Sequence, residues 1–170
     1  MTNLAIVPEC FVDTRIAELL AECKSLNHQH GCGNVSRILQ TKLKDSIALG
    51  IIDEDKNKTS PKYFDEFYTV ERQNSLLLKK HGKNKHFLII VCPEIENWLL
   101  KEAQSVGIRP ESERFGLPSN MQGFIKVSKL SDIYKNDGFK VFIRDLLKAE
   151  APGISTMKKW IDQFINKELN

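Results

Sequence analysis

The sequence predicts one α/β domain built on a mainly parallel sheet that helices cover on both faces. Two apolar segments of strand length, at residues 4–8 and 46–52, enclose two segments whose apolar residues recur at helical spacing. A strand–helix–strand crossover of this kind places its two strands parallel and side by side. The segment FLIIVC at 87–92 is apolar throughout, as strands are when both faces of a parallel sheet are covered. The length of 170 residues suits one domain with a proper core.

Each element of the first half follows from its own pattern. The strand at 4–8 precedes a helix that Asp13 is predicted to cap and that extends to about residue 26. The segment NHQHGCGN at 27–34 is a polar loop, and a second helix separates it from the strand at 46–52. The residues predicted to form the apolar faces of the two helices are Val12, Ile16, Leu19, Leu20 and Cys23, then Val35, Ile38, Leu39 and Leu43.

The second half continues the alternation. FDEFYTV at 64–70 is predicted as a strand, and residues 75–91 form two apolar stretches around the basic turn HGKNK. Pro93 suits the first turn of a helix, whose apolar face is Ile95, Trp98, Leu99 and Ala103. The remaining predictions are a surface loop at 107–123 and helices at about 138–149 and 155–168. We therefore expect a core of about 4–106 and a C-terminal helical extension of about 124–170.

Composition sets few limits on function. Hydrophobic residues make up 41% of the chain and charged residues 28%, and the net charge of +3 neither requires nor excludes a nucleic-acid partner. No apolar run reaches membrane-spanning length, and LAIV near the N-terminus is too short for a signal-peptide core. The four cysteines form no CxxC pair. We expect a reduced, cytoplasmic protein without membrane association.

Carboxylates follow the first two predicted strands where each strand ends. Glu9 follows the first strand, and Asp53 and Asp55 follow the second, on the same side of an extended chain. Adjacent strands lie about 4.8 Å apart, so all three carboxylates can converge. Their mutual repulsion is relieved by a divalent cation, and oxygen-only ligands favour Mg²⁺ or Mn²⁺. Such an ion commonly binds phosphate groups, which indicates phosphate-ester chemistry. The alternative is a solvated acidic turn or a helix cap.

Three other acidic motifs fit less well. An EF-hand loop beginning at Asp53 would need Gly and Glu where Lys58 and Phe64 stand. A haloacid-dehalogenase phosphatase would need Thr or Val where Asn57 stands. A response-regulator receiver has its acidic pair after the first strand rather than after a later one.

The order strand, Glu, helix, strand, Asp-x-Asp resembles the Toprim domain of topoisomerases, bacterial primases and OLD-family nucleases. The matching stretches are AIVPECFVDTRIAELL and ALGIIDEDKN, and FLIIVCPEIENWLL resembles a further strand and helix of small Toprim-like proteins of bacterial defence loci. The resemblance covers residues 4–106. It implies a Toprim-like fold, which is Rossmann-like, and Mg²⁺-dependent cleavage or transfer at a nucleic-acid phosphodiester.

The resemblance also implies roles for individual residues. Glu9 would transfer the proton, and Asp53 and Asp55 would hold the metal with Glu9 nearby. Toprim domains usually place Gly after the glutamate, where this chain has Cys10. That departure favours the alternative of a catalytically inactive regulatory subunit that binds a protein partner such as an ATPase.

Further charged residues extend the predicted site. Glu94 and Glu96 follow the strand FLIIVC, and Glu96 is the better candidate to assist catalysis in a two-metal site. The alternative is that both are acids that favour the first turn of a helix. Lys56 and Lys58 follow the Asp-x-Asp closely and are placed to bind phosphate.

Two clusters have simpler interpretations. Cys23, His28, His30 and Cys32 are zinc-capable types, but their spacing matches no usual zinc pattern, which favours a polar loop. The basic cluster around HGKNK could guide a phosphate backbone, although most such clusters are solvated hairpin tips. Its members are Lys79, Lys80, His81, Lys83, Lys85 and His86.

Overall fold

A five-stranded mixed sheet forms the centre of the protein in the computed structural model, which describes residues 5–54 and 59–169. The strands are β1 (Ile6–Pro8), β2 (Ala48–Asp53), β3 (Phe67–Gln73), β4 (Leu76–His81) and β5 (His86–Val91). The helices are α1 (Phe11–Leu20), α2 (Cys32–Gln40), α3 (Ile95–Ser105), α4 (Met121–Ser128), α5 (Asp137–Lys148) and α6 (Pro152–Ile165). Short 3₁₀ turns span Lys62–Glu66 and Ser131–Lys135.

The strand order β1-β2-β5-β4-β3 confirms the predicted crossover and makes the sheet mixed rather than parallel throughout. β1, β2 and β5 are parallel neighbours, with Ile6 opposite Leu49 and Leu49 opposite Phe87. β4 pairs antiparallel with β5, and β3 pairs antiparallel with β4. The C-terminal ends of the three parallel strands therefore meet at one edge, where open α/β sheets bind ligands. We call this the carboxyl edge.

Helices cover both faces of the sheet, as predicted. The larger core lies on the face covered by α1 and α3–α6, and the smaller core lies between α2, the Lys62–Glu66 turn and the other face. Gly50 of β2 lets α2 approach closely, since a Cβ there would lie 2.6 Å from Leu88 Cδ2 and 3.1 Å from Val35 Cγ1. The strand sequence thereby sets the depth at which α2 packs.

The ends of several helices and strands differ from those predicted. The N-cap of α1 is Cys10, so Asp13 lies inside the first turn, and the helix ends at Leu20 rather than near residue 26. Lys62–Glu66 forms a 3₁₀ turn, which delays the start of β3 to Phe67.

The third and fourth helices also differ from the prediction. Pro93 precedes α3, whose N-cap is Glu94, rather than lying in its first turn. α4 was not predicted as a separate helix; Asn120 caps it by accepting a hydrogen bond from Gly123 N. The described helices include none with the length and apolar character needed to cross a bilayer.

Candidate functional site

Glu9 and Asp53 lie side by side at the carboxyl edge, as the strand pattern predicts. Glu9 N donates to Ile51 O at 2.9 Å, which continues the ladder between β1 and β2 beyond the end of β1. Glu9 Oε2 accepts a hydrogen bond from Asp53 N at 3.1 Å. The buried Glu9 side chain is thus oriented by the backbone of the neighbouring strand.

The loop that follows α1 holds the other oxygen of Glu9. It lies along the outer edge of β1, where Gln29 N donates to Pro8 O at 3.0 Å and Gly31 N donates to Glu9 O at 3.2 Å. Gly31 adopts a φ of 91°, which favours glycine, and turns the chain into α2. Cys32 N, in the first turn of α2, then donates to Glu9 Oε1 at 3.1 Å. Sequence reasoning identified this loop as polar but missed its part in the site.

Asp13 is a member of the site that the sequence analysis interpreted as a helix cap. Its side chain is 2% exposed, and its Oδ2 accepts a hydrogen bond from Cys10 Sγ at 2.9 Å. Its Oδ1 is buried and finds no hydrogen-bond partner within the described part of the chain. Burial, together with the charges of Glu9 and Glu96, raises the pKa of Asp13 to about 7. The spacing of four residues between Glu9 and Asp13, one helical turn after a strand end, was the signal available.

Asp53 is half-buried at the end of β2 and has a related environment. Its Oδ1 is buried and has no hydrogen-bond partner among the described residues. Burial raises the pKa of Asp53 to about 9, with further contributions from Asp13, Glu9 and Glu96, while a hydrogen bond from Ile95 N opposes the rise. The carboxyl edge therefore holds several acidic side chains close together, and their mutual repulsion favours protonation of Asp53.

Glu96 completes the group from a fourth element. It lies in the first turn of α3, as the simpler interpretation expected, but its side chain is buried and faces the carboxylates instead of solvent. Ser128 Oγ of α4 donates a hydrogen bond to Glu96 Oε1. Residues of the C-terminal part thus contribute to the site, which the sequence did not indicate. Glu94 is half-buried at the N-cap and makes no side-chain capping bond.

We call Glu9, Asp13, Asp53 and Glu96 the carboxylate cluster. Three further residues predicted for the site, Asp55, Lys56 and Lys58, lie outside the described residues.

The donor set of the carboxylate cluster fits a hard divalent cation. Within residues 5–54 and 59–169, no group of three or more His, Cys, Asp or Glu side chains is already arranged around a common metal position. Mg²⁺ commonly binds one or two carboxylates and retains several waters, so a preformed cage is not required. The partnerless oxygens of Asp13 and Asp53 are what such an ion would satisfy.

Cys10 follows Glu9, at the position where the resemblance to Toprim domains led us to expect glycine. Its φ of −136° lies in the extended region, so the backbone does not require glycine there. Its thiol turns back onto Asp13, and burial raises the pKa of this thiol. Cys10 therefore keeps one oxygen of Asp13 engaged.

A cleft of about 440 Å³ gives access to the cluster from the α2 side of the sheet. Glu9 and Asp53 lie at one side of it, Phe64 and Phe67 contribute apolar wall, and Lys79 lines it as well. Lys79 forms no ion pair within the described part of the chain. A phosphate-bearing ligand entering this cleft would meet one lysine and four acidic side chains, those of Glu9, Asp53, Glu54 and Asp65, so its approach would depend on a bound cation to offset their charge.

The histidines of the HGKNK region are not part of a solvated hairpin tip. His86 is fully buried, with Nδ1 2.6 Å from Tyr63 Oη and Nε2 2.9 Å from Leu43 O. His81 is also buried, and its Nδ1 accepts hydrogen bonds from the backbone N–H groups of Lys83 and Asn84, each at 3.0 Å. These two histidines build the turn, while Lys83 and Lys85 remain exposed.

The zinc-capable residues of the first loop make other contacts. His28 stacks on Phe11 at a centroid distance of 4.5 Å, and its Nδ1 lies 2.9 Å from Thr14 Oγ1. His30 packs edge-on against His28 at 4.7 Å. This aromatic group anchors the loop beside Glu9.

Comparison with known proteins returned no match. No protein-family model fits the sequence, and no curated protein or solved structure matches it.

Proposed function

We propose that this protein is a divalent-cation-dependent enzyme that cleaves or transfers phosphodiesters of nucleic acid through a Toprim-like site. One observation supports the proposal: four carboxylates from separate elements converge at the carboxyl edge, and two of them keep a buried oxygen without a hydrogen-bond partner among the described residues. Repulsion of this kind is tolerated where a cation compensates it. The Toprim-like assignment itself rests on the sequence resemblance and on the parallel order of β1, β2 and β5.

The chain's residues suggest a division of roles. Asp53 and Glu9 would hold Mg²⁺ or Mn²⁺, with Asp55 as a further ligand. When bound, the ion would supply charge stabilisation to a phosphoryl group. Glu9 keeps the proton-transfer role implied by the resemblance, and Asp13 is a second candidate because a pKa near 7 suits general acid–base catalysis. Glu96, held by Ser128, would assist by positioning the cluster.

The test combines metal binding with cleavage. Calorimetry with Mn²⁺ should show binding to the wild type and loss of binding in Asp53→Asn, and labelled DNA and RNA should be cleaved only when Mg²⁺ or Mn²⁺ is present. Asp45→Asn, at an exposed position in the turn before β2, is the matched control. Unchanged metal-dependent cleavage in Asp53→Asn would refute the assignment.

A regulatory subunit is the second candidate, and two observations favour it. Cys10 engages Asp13, which reduces the oxygens open to a cation. β3 is an edge strand that exposes Tyr68 (53%) and Val70 (48%), and exposed apolar residues on a free strand edge suit addition of a strand from a protein partner such as an ATPase. Calorimetry that detects no binding at millimolar Mg²⁺ or Mn²⁺ would favour this candidate over the enzyme.

A further inference from the structure

A second cavity lies at the end of the sheet opposite the carboxylate cluster. It has a volume of about 450 Å³ and sits where β4 ends and β5 begins, beneath the C-terminal end of α6. β2 and β5 are six residues long, so roughly 20 Å of strand separates this cavity from the carboxyl edge. Its apolar floor consists of Ile47, Phe87, Phe164 and Leu169. Its lysines are Lys80, Lys83, Lys85 and Lys167, and we call the cavity the lysine pocket.

Acidic groups contribute little to the lysine pocket: among the described residues the nearest ion pair is that of Glu66 with the pocket-lining His81, at 3.3 Å. In the part of the chain that the structure describes, none of its four lysines forms an ion pair, and none of its lining residues is Asp or Glu. Lys80 Nζ lies 5.9 Å from the centroid of the Phe87 ring, above the floor. Like charges in a concave surface reinforce one another's potential, because separations below about 10 Å are only partly screened by salt. A polyanion would relieve this repulsion.

Lys167 shows that the lysine pocket is more than the solvated tip of a hairpin. It belongs to the C-terminal segment, far in sequence from Lys83 and Lys85. It follows α6 with a φ of 60°, and its N–H donates to Phe164 O at 3.1 Å. Helices that end in this left-handed conformation usually place glycine there, because a side chain is strained. A lysine at this position contributes charge to the pocket at the expense of local stability.

We propose that the lysine pocket binds a nucleoside polyphosphate such as ATP, independently of the carboxylate cluster. The volume falls within the range of small-molecule sites. The apolar floor, on which Ile47 is 38% exposed, offers a surface for the flat base. The lysines act as point charges for the phosphates. A recessed floor beneath a charged rim accommodates an inserted small molecule better than a lipid surface or a continuous nucleic-acid strand.

Calorimetry with ATP in EDTA tests the proposal without involving metal chemistry. The double variant Lys83→Ala/Lys85→Ala should weaken ATP binding at least about tenfold, because two of the four charges are lost. The matched control Lys126→Ala/Lys148→Ala removes two exposed helical lysines elsewhere and should stay within about twofold of the wild type. Since both pairs are exposed, loss of folding does not confuse the comparison.

Two further variants separate the parts of the pocket. Ile47→Ser should weaken ATP binding and leave inorganic tripolyphosphate binding unchanged, because only ATP carries a base. Lys167→Gly should weaken ATP binding while it raises the melting temperature by about 2–4 °C, because glycine relieves the strained conformation. A merely structural lysine would not show this opposite change in affinity and stability.

Three results would overturn the proposal. The first is no binding at millimolar ATP. The second is binding that the Lys83→Ala/Lys85→Ala variant leaves unchanged. The third is lysine-dependent binding of an oligonucleotide or of phosphatidylserine vesicles without binding of ATP. Each result concerns the metal-free protein, so it leaves the proposed phosphodiester chemistry to its own test.

Discussion

Asp13 and Asp53 are the two side chains whose environment departs most from what an aspartate prefers. Asp13 is buried and Asp53 is half-buried, each faces other carboxylates, and among the described residues the buried Oδ1 of each has no hydrogen-bond partner. Ionised carboxylates in such a position destabilise the folded state unless they take up a proton or a cation. Stability and cation binding are therefore linked at this site.

The first prediction concerns the pH dependence of stability in EDTA. Burial raises the pKa of Asp13 from 3.8 to about 7 and that of Asp53 from 3.8 to about 9. Between these values and the unfolded pKa the folded state binds more protons than the unfolded state, so the free energy of unfolding falls as pH rises from about 4 to about 9. Urea unfolding at pH 5, 7 and 9 should show this decline.

The Asp53→Asn variant tests whether Asp53 causes this decline in stability with rising pH. It should be more stable than the wild type at pH 8, by on the order of 2 kcal/mol, and the difference should shrink toward pH 4. Mn²⁺ at pH 8 should raise the melting temperature of the wild type but not of this variant. Asp45→Asn should show neither effect. A wild type that gains stability between pH 5 and pH 9 would contradict the assignment.

At the scale of elements, the close contact between α2 and β2 orients the site. α2 packs over Gly50, and the first turn of the same helix donates to Glu9 through Cys32 N. A displacement of α2 away from the sheet would therefore change the orientation of Glu9. Packing in the smaller core and geometry at the carboxyl edge are coupled through one helix.

Gly50→Ala tests that coupling. The added methyl would lie 2.6 Å from Leu88 Cδ2 and 3.1 Å from Val35 Cγ1, both in a buried region. We expect a loss of about 1–3 kcal/mol in the free energy of unfolding, together with weaker Mn²⁺ binding. Gly33→Ala is the control, because its Cβ would meet nothing within 4 Å. Wild-type stability in Gly50→Ala would show that the helix can shift freely.

A second contact between elements joins α3 to the first turn of α6. Pro152 opens this helix, and Glu102 of α3 accepts hydrogen bonds on Oε2 from Gly153 N at 2.6 Å and Ile154 N at 3.4 Å. Glu102 thus caps a helix from a distance of about fifty residues, in place of a local capping side chain.

Glu102→Ala should destabilise the protein by about 1–2 kcal/mol, since both N–H groups would lose their acceptor in a buried position. Glu102→Gln retains an amide oxygen and should lose less. The measurement is urea unfolding, with the exposed Lys101→Ala on the same helix as the control. Equal stability of the Ala and Gln variants would show that the cap contributes nothing.

At the scale of the whole molecule, the C-terminal third completes the core instead of extending it. The larger core combines residues of β1, β2 and α1 with buried side chains from α4, α5 and α6. Trp98 packs in this same core, and its Nε1 donates to Asn74 O. Members of the core beyond residue 106 include Phe115, Phe124, Phe139, Phe142, Met157 and Trp160.

A chain that ends at residue 106 should therefore fail to fold cooperatively, although it contains the whole stretch that resembles Toprim. The face of its sheet that α4, α5 and α6 normally help to cover would be partly exposed to water, at about 25 cal/mol per Å² of apolar surface. Urea titration followed by circular dichroism should show no sigmoidal transition, whereas the full chain should show one. A cooperative transition in the shortened chain would mean that residues up to 106 form a complete domain and that the C-terminal helices are not needed for folding.

Sequence periodicity alone established the α/β class, the parallel crossover and the meeting of Glu9 with Asp53. These features follow from local patterns, because side-chain periods of 2.0 and 3.6 determine element type and a crossover determines which strands become neighbours. The antiparallel hairpin of β4 and β5 was also visible as two apolar stretches around a turn. The predicted roles of Asp55, Lys56 and Lys58 remain predictions.

Tertiary structure decided the rest. Asp13 joined the cluster because α1 begins three residues earlier than predicted and turns that side chain inward. Three further pairings arise only through the packing of helices distant in sequence. Glu96 accepts a hydrogen bond from Ser128, Glu102 accepts one at the start of α6, and Lys167 lines the same pocket as Lys83. Such contacts depend on the rotation and depth at which each helix docks, and these are set by the shape of the whole core rather than by any local pattern.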